Sequence, residues 1–305
     1  MSSTLLQLVQ AASVEMGITQ TLTTVVGNTD TQVSQMYYLI NALGKELSRE
    51  YDWEALDTEY RFTTQYLSTT GNTTDGSAVI TNIPSTATLS TNFMVTGTGI
   101  NQDTYISSVD SATQVTLSQA CTETGTGVTL NFGQTKYNLP SDYDHQVNRT
   151  HYDKSKRWEM LGPETAQQWQ FLKSSYISTG PRMRYRILGG QFQIWPITTT
   201  NEYLGFEYIS NGWARSTLGV AQSSFSADTD TCIYPDRLMI LGLKMKFFEV
   251  KGFDASPFTR DFMRQLNNAK AMDGGAASLS MSPKISTVLI GFENIPDGSI
   301  YGQGS

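Results

Sequence analysis

Histidine, cysteine and positive charge are all scarce in this sequence, and each shortage removes a class of function. There are two histidines, His145 and His151, and two cysteines, Cys121 and Cys232, far apart in the chain. A zinc site or a disulfide framework needs several such ligands at closer spacing, so both cysteines read as small buried apolar groups. Lys plus Arg total 21 against 28 for Asp plus Glu, a net charge of −7. Proteins that hold nucleic acid tightly present a basic surface, because neutralising phosphates supplies most of their affinity; here the balance has the opposite sign. Charged residues make up 16% of the chain, well below the usual quarter or so, and Thr, Ser, Asn and Gln fill the difference. Such a surface is wet but weakly charged, as suits strands and surfaces that pack against neighbours. Long apolar runs are missing too. A membrane span needs roughly 20 such residues, and the richest stretch, Leu238 to Val250, is interrupted by Lys244, Lys246 and Glu249. The first residues, MSSTLLQLVQAASVEMG, lack the basic start of a secretory leader. The expectation is a protein made and used in solution, in a reducing compartment, with no membrane partner.

What is present divides into helical and strand-like stretches. Leu5, Val9, Ala12 and Met16 recur at helical spacing. A second helix is expected from Asp30, its cap, to Tyr51, with Val33, Met36, Tyr37, Ile40, Leu43 and Leu47 along one stripe. Glu59 to Leu67 reads as a strand. Composition then shifts: from Arg61 to Lys136 no Lys or Arg intervenes, and Thr, Ser, Gly and Asn dominate. Short β-prone runs recur there, around Val79, Phe93, Tyr105, Val115 and Val128, separated by turn residues. That rhythm argues a small antiparallel sandwich or barrel, placed at 69–134 as an insertion. Beyond it, Tyr185 to Pro196 reads as a hairpin about Gly189-Gly190, and Tyr203 to Ser210 as a further strand before an Asn211-Gly212 turn. A short helix is expected over Pro163 to Ser175. Pro235 opens an apolar helix ended by Gly252, and Ser256-Pro257, a cap followed by a first-turn proline, opens another that stops at Gly274-Gly275. The fold expected is therefore α+β. A helical core with a β-hairpin and sheet region, discontinuous over 1–68 and 135–275, carries the inserted all-β module at 69–134. An extended C-terminal arm follows at 276–305. Within that arm the apolar patch containing Ile285, Val288, Leu289, Ile290 and Phe292 is a candidate docking strand.

Signatures of catalysis are scarce. The chain has no P-loop, no GxGxxG, no GxSxG, no HExxH and no CxxC, and neither a catalytic residue nor a cofactor is expected. His145, His151 and Asp153 are the candidate metal ligands. However, the six-residue spacing of the histidines suits neither adjacent turns of a helix nor adjacent strand positions, so they read as loop and strand-edge polar groups. Ser226-Ala-Asp228-Thr-Asp230 has the flavour of a calcium loop without its glycine and distant glutamate, and reads instead as a turn and cap. The 15 Tyr and 5 Trp could stack on bases. At this net charge they fit core or subunit interfaces better.

Taken in order, Tyr51-Asp-Trp53, Tyr137-Asn-Leu-Pro140-Ser-Asp-Tyr143, Arg157-Trp158, Leu161-Gly-Pro163, Tyr185 to Pro196, Phe206-Glu-Tyr-Ile-Ser-Asn-Gly-Trp213, Phe225 to Thr231 and the apolar helix ending at Lys251-Gly252 form a pattern. This set resembles the head-to-tail adaptor, or connector, proteins of tailed bacteriophages, over about 1–67 and 135–275, with the Thr-rich module outside it. The resemblance implies a structural virion protein of the neck, assembled in the host cytoplasm. It would form a dodecameric ring of copies of itself beneath the portal protein, extend the channel through which double-stranded DNA passes, and offer a docking surface to tail or nozzle proteins. Two rivals remain on the residues alone. One is a tail or neck decoration protein that binds virion partners or a host glycan through the β module, which holds few aromatics: Phe93, Tyr105 and Phe132. The other is a hydrolase recruiting Asp142, Asp144 and Asp153.

Overall fold

The structure, a computed structural model, describes residues 2–18, 22–174 and 182–274. The expected C-terminal arm, with Ile285, Val288, Leu289, Ile290 and Phe292, lies outside the described residues. The chain opens with α1 (Leu5–Glu15) and α2 (Thr31–Glu50). A capping box starts α1: the Thr4 hydroxyl accepts from the Gln7 amide at 3.4 Å and the Gln7 side chain accepts from the Thr4 amide at 3.0 Å. Asp30 caps α2, its Oδ1 accepting from the amides of Gln32 and Val33 at 2.8 and 3.2 Å.

The single strand expected over 59–67 is two strands, β1 (Asp57–Thr63) and β2 (Tyr66–Thr73), in different sheets. Thr64 makes the break. It is fully buried, its amide donates to the Glu202 carbonyl at 2.8 Å, and its hydroxyl accepts from the Glu202 amide at 2.7 Å. This pins the corner at which the chain leaves one sheet for the next.

From β2 the chain continues through β3 (Val79–Ile80), β4 (Phe93–Gly97), β5 (Thr104–Ser111), β6 (Gln114–Leu117) and β7 (Gly125–Gln134). These pair antiparallel in the order β2-β7-β4-β5-β6-β3. The two ends of that order meet at Asn72 and Thr81, which exchange both backbone hydrogen bonds at 2.8 and 3.2 Å, so the sheet curls into a small, nearly closed barrel. Closure removes the sticky edges that an open Thr-rich sheet would expose. Ile80, Phe93, Val95, Ile106, Val115, Leu117, Leu130 and Phe132 fill it.

The segment after the barrel is richer in strands than expected. It runs through β8 (Lys136–Asn138), β9 (Tyr143–Gln146), β10 (Tyr152–Asp153), β11 (Trp158–Glu159), α3 (Ala166–Ser174), β12 (Arg184–Leu188), β13 (Gln191–Trp195) and β14 (Tyr203–Ser210). One sheet has the order β1-β14-β10-β11, with β9 also on β14; a second has the order β12-β13-β8. Tyr137, Tyr185, Phe192, Phe206 and Tyr208 form an aromatic core between them. Gly189 and Gly190 both take positive φ, +61° and +73°, as a two-residue hairpin turn requires. The helix expected from Pro163 begins at Ala166 because residues 161–164 lie beside β12: Leu161 and Tyr185 exchange amides with Met183 and Leu161 carbonyls at 2.9 Å, and the Glu164 amide donates to the Tyr185 carbonyl at 3.0 Å.

Three short strands, β15 (Ala214–Arg215), β16 (Ala221–Gln222) and β17 (Thr231–Cys232), lead to α4 (Asp236–Lys251) and α5 (Ser256–Asp273). Ser256 does not cap α5 as expected. It lies in the first turn, and the Asp254 carboxylate preceding it accepts from its amide at 2.9 Å. Helices α1, α2, α4 and α5 share the largest apolar cluster, with Leu5, Leu8, Ile40, Leu43, Met239, Leu243, Phe262 and Leu266 buried in it. Lys244 on α4 is itself buried and pairs with Glu15 of α1 at 2.9 Å. The two-sheet layer meets both neighbours: Ile209 of β14 joins the helical cluster, while Trp195 and Ile197 pack on Met94 and Tyr105 of the barrel together with Trp169 of α3. Among the described residues, no helix is long and apolar enough to cross a membrane.

Candidate functional site

The candidate metal ligands go to separate tasks. His145, on β9, is half-exposed and bridges two carboxylates, with Nδ1 2.8 Å from Asp144 and Nε2 3.3 Å from Asp52 just beyond α2. It ties the end of that helix to the sheet. His151 is 1% exposed and stacks between Tyr185, 4.0 Å away between ring centres, and Phe206 at 4.9 Å. Neither of its nitrogens has a hydrogen-bond partner, and burial holds its pKa down to about 4 from the usual 6.5. Asp153 is buried and accepts from the amides of Ser155 and Lys156 at 2.9 and 3.1 Å, forming a turn. Among the described residues, no three His, Cys, Asp or Glu are placed to hold a metal ion. Asp228 and Asp230 are backbone acceptors as well: Asp228 takes the amides of Val25 and Val26 at 3.0 and 2.8 Å, and Asp230 takes those of Ser226 and Ala227 at 2.7 and 2.8 Å. Cys121 and Cys232 are both buried and unbridged; burial pushes the Cys232 thiol up to about 12, so it is no nucleophile near neutral pH.

The feature that sequence reading did not find is a cleft of about 760 Å³ where the barrel meets the two-sheet layer. Ile100, Met183, Trp195 and Ile197 give it apolar wall, and its charged lining is mixed, with Asp103, Glu123 and Glu202 set against Lys156 and Arg182. Glu202 is 1% exposed, and the Lys156 ammonium lies 2.5 Å from it. Burial raises the Glu202 pKa, and the Lys156 contact opposes that rise. At the rim, Lys173 of α3 holds Asp103 of the barrel at 3.1 Å and lies 5.2 Å from the Tyr105 ring centre; Lys136 sits 4.6 Å from the same ring on its own account. These contacts clamp the barrel onto the body. The cleft is built from residues 94–123 on one wall and 156–202 on the other. No local pattern could announce it, because it exists only once two distant segments have folded and docked.

The arrangement is a partly apolar recess of mixed charge beside the β barrel, with Lys173 and Asp103 paired at its rim. A family model described as SU10 adaptor protein matches residues 101–283, more than half of the chain. The matched span takes in residues 101–134, so the later strands of the barrel fall inside it, whereas the motif-based resemblance leaves the whole module out. No match was found among curated proteins.

Proposed function

Because the chain belongs to the SU10 adaptor protein family, we propose that this phage structural protein acts in the virion neck as a head-to-tail adaptor, in a ring of its own copies seated under the portal. The family match carries the reading, and the physical features agree with it. The negative net charge suits a wall past which DNA slides without adhering. The helical layer, the two-sheet layer and the barrel give one subunit several outward faces with which to meet its neighbours, the portal above and the tail below. No catalysis is assigned to it: the two histidines serve a cross-bridge and an aromatic stack, and the buried carboxylates serve turns and an ion pair.

A glycan-binding role for the barrel fits poorly. Sugar-binding faces display aromatic rings, while Phe93 and Phe132 are at most 2% exposed and Tyr105 is packed against Lys136 and Lys173. The test is negative-stain microscopy of the purified chain alone and mixed with its portal. Rings, or density added beneath the portal, are the expected outcome. A chain that stays monomeric in both conditions overturns the proposal.

A further inference from the structure

The structure carries a knob as well as a recess. Strands β15 and β16 pair Ala214 with Gln222 and Arg215 with Ala221, and the intervening tip is a formed turn. The Ser216 amide donates to the Val220 carbonyl at 2.9 Å, the Gly219 amide to the Ser216 carbonyl at 2.8 Å, and the Thr217 hydroxyl meets that of Thr229 at 3.0 Å. This pre-ordered tip holds Leu218 at 90% exposure and Val220 at 59%; no other large apolar side chain among the described residues is as exposed as Leu218. A turn that is already ordered loses little further entropy when it binds.

We propose that the Leu218–Val220 tip of one copy seats in the barrel–body cleft of the next copy. The proposal rests on the ring reading above and deepens it by naming the contact. Three observations select a second copy as the occupant. First, the cleft offers apolar cover for the tip in the half-buried Ile100 and Ile197, which are backed by the buried Met183 and Trp195. Second, charge is complementary on the barrel wall: Arg215 at the base of the tip and Glu123 on that wall have no ion-pair partner among the described residues and each has the sign the other needs, while the cleft's cations, Lys156 and Arg182, belong to the opposite wall. Third, the two sites lie at opposite ends of β14, the cleft beside Glu202 before the strand and the tip beyond Ser210. Eight residues of strand separate them by roughly 26 Å, so a chain does not fill its own cleft. A knob and a hole on different faces make a head-to-tail contact, the kind that generates rings when the rotation closes.

The test is the double variant Leu218→Asp with Val220→Asp. Both side chains are exposed, so circular dichroism and thermal midpoint stay at wild-type values. Self-association measured by sedimentation velocity weakens by about a hundredfold or more, the factor expected for losing two buried aliphatic contacts. Independently, full-length Leu218→Cys and Thr122→Cys chains are mixed and oxidised. Since both native cysteines are buried, a covalent heterodimer that forms in the mixture, and in neither variant alone, supports the contact. Wild-type-like assembly by the double variant, or no heterodimer, overturns this contact and leaves the ring standing. A wild-type chain that never self-associates and adds nothing to the portal overturns both.

Discussion

His151 shows how a single residue can be poorly matched to its surroundings. Its ring lies within a stack of Tyr185, Phe206 and, 5.8 Å away, Phe192, with both nitrogens unpaired. A buried polar atom without a partner costs about 1–3 kcal/mol. The folded ring stays neutral down to about pH 4, while the unfolded ring takes its proton near pH 6.5. Between those values the unfolded chain binds the extra proton, so stability falls as the pH drops from 6.5 towards 4, by ~3 kcal/mol at most, and is unaffected by this group above 6.5. Replacing the ring with Phe keeps the stack and removes both penalties. His151→Phe is expected to gain about 1 kcal/mol at pH 7 and to show a shallower loss on acidification, read from urea unfolding at pH 7, 5.5 and 4.5. Parallel curves for the two proteins would refute this. The sequence marked His151 as a loop histidine because its neighbours in the chain, Thr150 and Tyr152, are not those that surround it in space. Asp30 was legible because capping is a relation between residues two or three apart.

At the scale of elements, what could be read was whatever the local period expressed. The hairpin about Gly189-Gly190, the strand 203–210 and the apolar helix ended by Gly252 each carry their own signal. The break at Thr64 does not, because it is imposed by Glu202 and Thr198 from far along the chain. The same holds for Gly44, where α2 meets a side chain rather than a backbone pattern. A Cβ there would fall 2.3 Å from ring atoms of Trp213, which is fully buried. Alanine gains up to about 1 kcal/mol of helix propensity over glycine, but overpacking a filled core costs about 1–3 kcal/mol. Gly44→Ala is therefore expected to lower the thermal midpoint, and a rise would mean that Trp213 yields freely. The barrel carries a separate prediction. Its entry and exit are adjacent, the Gln134 amide donating to the Gln65 carbonyl at 2.9 Å. Excising Tyr66 to Gly133 and joining Gln65 to Gln134 with a few Gly and Ser residues closes the gap without strain. The shortened chain should remain soluble and helical by circular dichroism, with a lower midpoint because Trp195 and Ile197 lose their cover. Complete unfolding would show that the aromatic core needs the barrel to form.

For the whole molecule the decisive quantity is charge and where it is already matched. A net charge of −7 does not by itself exclude a basic stripe, so the fate of the individual cations matters. Many are occupied within the fold: Lys154 and Arg61 on Glu59, Lys156 on Glu202, Lys173 on Asp103, Arg184 on Glu164, Arg237 and Lys244 on Glu15, Lys246 on Glu46 and Lys270 on Glu50. The stretch from Phe62 to Thr135, which includes the whole barrel, contributes no Lys or Arg at all. A protein that holds DNA by releasing counterions gains about 10³-fold or more in affinity when salt falls from ~200 to ~50 mM. With nine of its 21 cations paired in this way and the net balance negative, this chain has little such gain to make, since lower salt strengthens its net repulsion of phosphate instead. Mobility-shift titration of double-stranded DNA should show no retention at either salt concentration, for free subunits and for assembled rings alike. Retention that strengthens as salt is lowered would mean that assembly gathers exposed cations such as Arg260 and Arg264 of α5 into one basic face, and the picture of a wall that lets DNA pass would have to give way to one that grips it.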